Sequence, residues 1–169
     1  LLLAALAGCA APHSAPATVG SAQAPAGVVL GTFDSRVLAI AYYRSEAFSR
    51  VQQAAMANYS SADDAERKRI EHEMEALQQL THQQGFGTAP IPEILAMIED
   101  EIPSMARAAG VQAVVCRWDL VWSDPEMQTV DLSLALAELF KPDDVTRKML
   151  PEILKHEPVS RNELERHDH

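Results

Sequence analysis

Histidine is the side chain in this sequence most suited to metal binding or proton transfer, and there are six of them. His72 and His82 are ten positions apart and do not share a helical face, so they would not hold one metal ion together. His13, His167 and His169 lie close to the ends of the chain. The histidine spacing therefore predicts no metal site, and weak metal binding by the sequence from Arg166 to His169 is the alternative.

Carboxylates and nucleophiles show no catalytic arrangement either. Glu71, Glu73 and Glu75 alternate in sequence along a predicted helix, and we do not interpret them as a convergent catalytic carboxylate pair. The sequence contains no HExxH, CxxC, GxSxG or P-loop pattern. We therefore predict a protein that is not an enzyme and uses no cofactor. Catalytic groups that converge from distant positions are the alternative.

Cys9 is the residue whose neighbours do specify a reaction. It follows Leu6, Ala7 and Gly8, and this tetrapeptide resembles the bacterial lipobox, in which a signal peptide is cut before a cysteine that receives diacylglycerol and then an amide-linked acyl chain. The resemblance implies a lipid anchor at Cys9. Burial of acyl chains, at about 0.8 kcal/mol per CH₂, makes such an anchor durable once more than one chain is attached. The alternative is a short buried helix that ends in Gly-Cys.

The sequence around this motif is typical of a membrane tether. Residues 1–6 are apolar but too few to span a bilayer, and residues 10–27 are rich in Ala, Pro and Ser. We expect residues 1–8 to be the remnant of a signal peptide and residues 9–27 to be the lipidated cysteine and a flexible tether. Ala10 stands where an Asp would favour inner-membrane retention, which predicts the outer membrane. With Cys9 acylated, Cys116 has no partner for an intramolecular disulfide, and we interpret it as a small buried hydrophobe rather than a nucleophile.

Composition limits both the fold class and the partners. A chain of 169 residues with 47% hydrophobic content can form one domain with a real core, and the scarcity of aromatics, at 5%, favours helix packing. The net charge is −10, so the overall field repels phosphate backbones and nucleic acid is not an expected partner. Ten acidic and three basic residues fall between Ser61 and Pro103, and the simplest interpretation is a solvated helix face.

Two segments with β-branched and apolar residues predict a small mixed sheet from residues 28–33 and 113–122. Asp34 or Ser35 can cap a helix that continues to about Met56, and the sequence from Asn58 to Ser61 interrupts the helical pattern. A second helix then begins at Ser61 and forms a helical hairpin with the first.

Apolar stripes on the helices between the two strand segments are the candidate surfaces for a client or partner. Pro92 suits the first turn of one of these helices, Pro103 should kink or break it, and Gly110 should stop it. The loop from His82 to Pro90 has two glycines but no basic residue after them, so a plain turn is preferred to an anion site. Six residues form the stripes: Ile70, Met74, Leu77, Ile94, Met97 and Ile98.

Further helices follow the second strand segment. Asp131 can cap a helix of Leu residues, and a second amphipathic helix follows Lys141. The expected fold is therefore helix-dominated α+β, with one domain over residues 28–156 and a polar tail over residues 157–169.

The order of these elements resembles that of the Skp/OmpH family of periplasmic chaperones. The residues that carry the resemblance, over about residues 28–140, are Phe33-Asp34 after the first strand, Ala109-Gly110-Val111-Gln112 before the second, and Val130-Asp131-Leu132-Ser133 at the helix cap. The resemblance implies a trimer that holds unfolded envelope proteins. Members of that family are basic with long helical arms, whereas the helical segment between the two strand segments here is acidic and shorter. The resemblance therefore supports the fold and the trimer more than it supports the holding of clients.

Two functions follow as hypotheses. The preferred one is a lipid-anchored, periplasm-facing envelope protein with a chaperone-like or scaffolding role, assembled as a homo-oligomer. The alternative is a structural envelope lipoprotein whose apolar stripes only pack its own helices, because such stripes are more often core than binding surface.

Overall fold

The computed structural model describes residues 27–160 and 162–164. Within them the fold is helix-dominated α+β with a small sheet, as the sequence predicts. The helices and strands run in the order β1 (Val29–Phe33), α1 (Ser35–Tyr43), α2 (Glu46–Ser61), α3 (Asp64–Gly85), α4 (Pro92–Ala96), α5 (Ile102–Ala108), β2 (Ala113–Cys116), β3 (Gln128–Asp131), α6 (Ser133–Ala137), a 3₁₀ turn (Glu138–Phe140) and α7 (Asp144–Ile153).

The sheet is parallel, so the prediction of a mixed sheet was wrong. Strand β1 lies in the centre, with β2 on one side and β3 on the other. Residues 120–122 are not a strand, and the third strand is β3, whose Gln128 and Asp131 are exposed. Because both edge strands run parallel to β1, the segment 117–127 must return from the end of β2 to the start of β3.

Helix α1 is the centre of the core. Six of its nine residues are buried, and Val37, Leu38 and Ala41 are fully excluded from solvent. Around α1 pack residues from the sheet and from the helices that follow it, among them Phe33, Ile94, Ile98, Val111, Leu136 and Leu150. One face of the sheet contributes to this core, whereas Leu30 and its register partners Ala113 and Thr129 on the other face are outside it.

Several predicted helix boundaries are confirmed. Asp34 caps α1 by accepting a hydrogen bond from the backbone N–H of Arg36. Pro92 lies in the first turn of α4, and Gly110, with φ of +71°, follows α5 in a backbone conformation that favours glycine. The break predicted at Pro103 occurs earlier, since α4 ends at Ala96 and Pro103 lies in the first turn of α5.

Two boundaries of the predicted hairpin were wrong. The first helix breaks at Ser45, whose side chain accepts from the N–H of Phe48 and starts α2. Helix α2 then continues through Ser61, past the predicted interruption, and α3 starts from Asp63, whose carboxylate accepts from two backbone N–H groups. The predicted helical hairpin is therefore present, but it consists of α2 and α3 and branches from the end of α1.

Candidate binding groove

The hairpin of α2 and α3 exposes most of its length to solvent. Phe48 is the only buried residue among the 16 of α2, and α3 buries Ile70, Gln84 and Gly85 among its 22 residues. Several large apolar side chains are instead exposed, with 52% of the surface of Val51, 51% of Met56 and 41% of Met74 accessible. Exposed apolar side chains usually occur singly, whereas these three are concentrated between two helices.

A groove of about 710 Å³ runs between the two helices of the hairpin. Helix α2 provides one wall and helix α3 the other, and Tyr43 at the end of α1 lies at the base. The residues that line the groove are Tyr43, Phe48, Val51, Gln52, Ala55, Met56, Met74, Glu75, Leu77, Gln78 and Thr81. Apolar side chains therefore form most of the lining, and the two methionines can adapt their shape to different ligands.

Aromatic rings and buried polar groups connect the base of the groove to the body. The Phe48 ring lies 4.9 Å from that of Tyr43 and 5.3 Å from that of Tyr42, both in edge or near-edge geometry. The Tyr43 hydroxyl donates to Gln84, whose amide group in turn donates to Glu93 and to the backbone of Pro90. Burial, with Glu93 and Tyr42 adding to it, raises the pKa of Tyr43 to about 12.

The far end of the groove is closed by a polar contact. One helical turn beyond Met56 and Met74, the Tyr59 hydroxyl donates to the Glu71 carboxylate over 2.7 Å. This hydrogen bond raises the pKa of Tyr59, which is a surface residue. It joins the two walls beyond Met56 and Met74, the last lining residues at this end.

Among the described residues, Glu75 is the only charged one in the lining of the groove. No ion pair joins it to a basic side chain in the part of the chain that the structure describes, whereas the neighbouring Glu66 and Glu73 are both paired with Arg69. The remaining polar side chains of the two walls, Gln52, Gln78 and Thr81, are neutral. The groove is therefore an apolar channel with one uncompensated negative charge.

A second group of charged and polar side chains lies where the three strands end. The Arg36 guanidinium binds the fully buried Asp34 carboxylate through two hydrogen bonds of 3.0 and 2.7 Å. It also donates to the backbone carbonyl of His156 over 2.9 Å, just after α7. The backbone N–H of Asp34 donates to the Ser133 hydroxyl that follows β3.

Trp118 covers this ion pair from the segment that follows β2. Its indole N–H donates to Asp34 over 3.3 Å, and the guanidinium carbons of Arg36 and Arg117 lie 5.2 and 5.1 Å from its ring. The Asp34 carboxylate therefore accepts from the backbone N–H and the guanidinium of Arg36 and from the indole of Trp118. We interpret the group as a structural joint that ties β1, β2, β3 and α7 together.

The structure separates the six predicted partner-facing residues into two sets. Met74 and Leu77 line the groove and Met97 is 51% exposed, although Met97 lies elsewhere, just after α4. Ile70, Ile94 and Ile98 are at most 6% exposed, so the prediction that they face a partner was wrong for the folded state. The other wall of the groove, with Val51, Ala55 and Met56, lies outside the predicted stripes.

The remaining predictions concern the lipobox with Cys9, the role of Cys116 and metal ligands. Cys9 and the lipobox residues Leu6, Ala7 and Gly8 lie outside the described residues, so their prediction stays untested. Cys116 is half-buried beside the core at the end of β2. In residues 27–160 and 162–164, no three His, Cys, Asp or Glu side chains are grouped as metal ligands.

Helices long and apolar enough to cross a bilayer are absent from the described parts of the chain. No protein-family model matches the sequence, and comparisons with curated proteins and with solved structures found no significant match.

Proposed function

We propose that this is a non-catalytic protein of the bacterial cell envelope that transiently holds apolar segments of unfolded envelope proteins in the groove between α2 and α3. The observation that carries the proposal is the groove itself, with Val51, Met56 and Met74 exposed along its walls. A hairpin that only packed its own helices would gain stability by burying the exposed part of these side chains, at about 1 kcal/mol for each.

The shape of the hairpin supports transient rather than permanent binding. Its base is held by the rings of Tyr43 and Phe48, and its far end by the hydrogen bond from Tyr59 to Glu71. Between these points the walls carry flexible methionines, which suit ligands of varied sequence. The groove is open to solvent along its length, so a bound segment can leave.

The direct test is whether the full chain, with Cys9→Ser to keep it soluble, suppresses aggregation of an unfolded β-barrel protein at near-stoichiometric ratio. Val51→Glu should abolish most of the suppression, because it places a charge on the apolar wall. Since Val51 is 52% exposed, the substitution should leave the fold intact. Val145→Glu is the matched control, because Val145 is 66% exposed but lies on α7, away from the groove.

A scaffolding role without clients is the second candidate, and one observation favours it. Ile70, Ile94 and Ile98, half of the residues expected to face a partner, pack inside the protein. If the full chain does not suppress aggregation, and if deletion of the protein leaves outer-membrane protein levels unchanged, the scaffolding role replaces client holding.

We also propose a homo-oligomer that forms through the sheet, with a trimer favoured by the resemblance to Skp/OmpH proteins. Parallel sheets are normally covered on both faces, yet Ala113 and Thr129 on the second face are exposed. In the segment that follows β2, Val121 is 99% and Trp122 74% exposed. Light scattering should show an oligomer that Trp122→Glu dissociates, and a monodisperse monomer at high concentration would exclude it.

Lipid attachment at Cys9 is part of the same proposal, and the lipobox-like sequence from Leu6 to Cys9 supports it. Cys9→Ser should move the protein from the membrane fraction to the soluble envelope fraction and abolish incorporation of labelled palmitate. Unchanged labelling in that variant would refute the anchor.

A further inference from the structure

We infer that the groove between α2 and α3 selects segments in the α-helical conformation, with a basic residue placed beside their apolar face. This inference rests on the proposed function and deepens it, since it specifies which segments of a client the groove can hold. It depends on the backbone of the groove walls, on the length of the groove and on the charge of Glu75.

The walls of the groove offer no backbone partners to a ligand. Both are α-helices, whose N–H and C=O groups are already paired within each helix except at the ends. An extended segment would therefore bury unpaired backbone groups in an apolar channel, each at a cost comparable to a lost hydrogen bond. A helical segment brings its own hydrogen bonds and avoids this cost.

The length of the groove also suits a helix. The lining residues of α2 extend from Phe48 to Met56, and those of α3 from Met74 to Thr81. At 1.5 Å per residue, these spans correspond to about 10–12 Å, or roughly two helical turns. A ligand helix would fill this length with side chains at positions i, i+3 or i+4, and i+7, the pattern by which amphipathic helices bind grooves.

Charge then decides which amphipathic helices fit best. Glu75 lies at the groove without a basic partner, and the net charge of −10 adds an unfavourable background for acidic ligands. A Lys or Arg beside the apolar face of the ligand can approach the Glu75 carboxylate, whereas an acidic residue there is repelled. Since Glu75 is exposed, we expect a preference of only about two- to fivefold in affinity.

The test uses three synthetic peptides of about 14 residues, long enough for a marginal helix. The first has an amphipathic Leu/Ala/Gln sequence with one Lys beside its apolar face, the second has Glu in place of the Lys, and the third has a central Pro that breaks the helix. The affinity of each peptide for the full chain carrying Cys9→Ser is measured by titration calorimetry. The Lys peptide should bind about two- to fivefold more tightly than the Glu peptide and about tenfold or more tightly than the Pro peptide.

Two variants locate the preference. Glu75→Gln should bring the Lys and Glu peptides to nearly equal affinity, whereas Glu99→Gln should leave their ratio unchanged. Glu99 is a matched control because it is exposed and lies outside the groove, and because its substitution removes the same formal charge.

The outcomes separate this inference from the proposed function. If the Pro peptide binds as well as the Lys peptide, or if no peptide binds while the protein still suppresses aggregation, helix selection is wrong and client holding stands. If the Lys and Glu peptides bind equally to the parent protein, the charge preference is wrong. If suppression of aggregation is also absent, client holding itself fails.

Discussion

Helices α1 and α2 follow each other in the chain, separated by Arg44 and Ser45, yet they have opposite relations to solvent. Six of nine residues are buried in α1, whereas one of 16 is buried in α2. Both helices have apolar residues at helical spacing, so periodicity does not distinguish them. What differs is the number of neighbours, because α1 packs against α3, α4, α6 and α7, whereas α2 packs mainly against α3 and the end of α1.

This difference assigns separate tasks to the two regions. The body, built around α1, supplies stability through a dense core and the buried ion pair of Asp34 and Arg36. The hairpin of α2 and α3 adds little core and keeps its apolar side chains available. Substitutions of the same type in the two regions should therefore have very different effects on the free energy of unfolding.

The largest contrast is expected between two aspartates that both cap helices. Asp34→Ala removes the partner of a buried Arg36 and should cost about 3–5 kcal/mol of stability. Asp63→Ala removes the exposed cap of α3 and should cost about 1 kcal/mol. Urea denaturation of both variants measures the difference, and equal losses would show that the ion pair does not stabilise the body.

A smaller contrast is expected between two leucines. Leu38 is fully buried in α1, so Leu38→Ala should cost about 2–5 kcal/mol through lost burial and the cavity left behind. Leu80 on α3 is 38% exposed, so Leu80→Ala loses less burial than the core variant and should cost about 1 kcal/mol. A large loss in the Leu80 variant would mean that the hairpin is part of the same cooperative core as the body.

Local signals in the sequence predict much of the body. The cap at Asp34, the proline at the start of α4 and the stop at Gly110 each depend on a residue and its immediate neighbours, and all three are confirmed. The break at Ser45 was missed because the apolar spacing continues across it. Strand β3 was missed because it is a short edge strand with Gln128 and Asp131 exposed, and its partner β1 lies about a hundred residues earlier.

The joint at the strand ends could not be predicted, because its members come from distant positions. Trp118 is 84 residues from Asp34, and the carbonyl of His156 is 120 residues from Arg36. For a related reason, the sequence predicts the α3 wall of the groove but not the α2 wall. Helical spacing predicts that Met74 and Leu77 lie on one face of α3. Only the position of α2 beside α3 determines that Val51 and Met56 face the same groove.

The smallest expected effect compares two tyrosines at the ends of the groove and appears at alkaline pH. The pKa of Tyr43 is raised to about 12, first by burial and then by Glu93, from an ordinary value of 10.0. The folded state therefore holds this proton more strongly than the unfolded state does. The resulting stability is fully present below pH 10 and is lost as the pH rises from about 10 to about 12.

Tyr43→Phe should consequently make the fall of stability above pH 10 less steep. At neutral pH the same variant should be slightly less stable, because Gln84 loses the hydroxyl that donates to it. Tyr59→Phe should change the alkaline slope less, since Tyr59 is a surface residue of the hairpin and its raised pKa depends mainly on the hydrogen bond to Glu71. Urea denaturation at a series of pH values between 7 and 12 measures these slopes. If the Tyr43 variant keeps the parent slope, the base of the groove is open to water and is not the packed end that its contacts with Phe48 and Gln84 indicate.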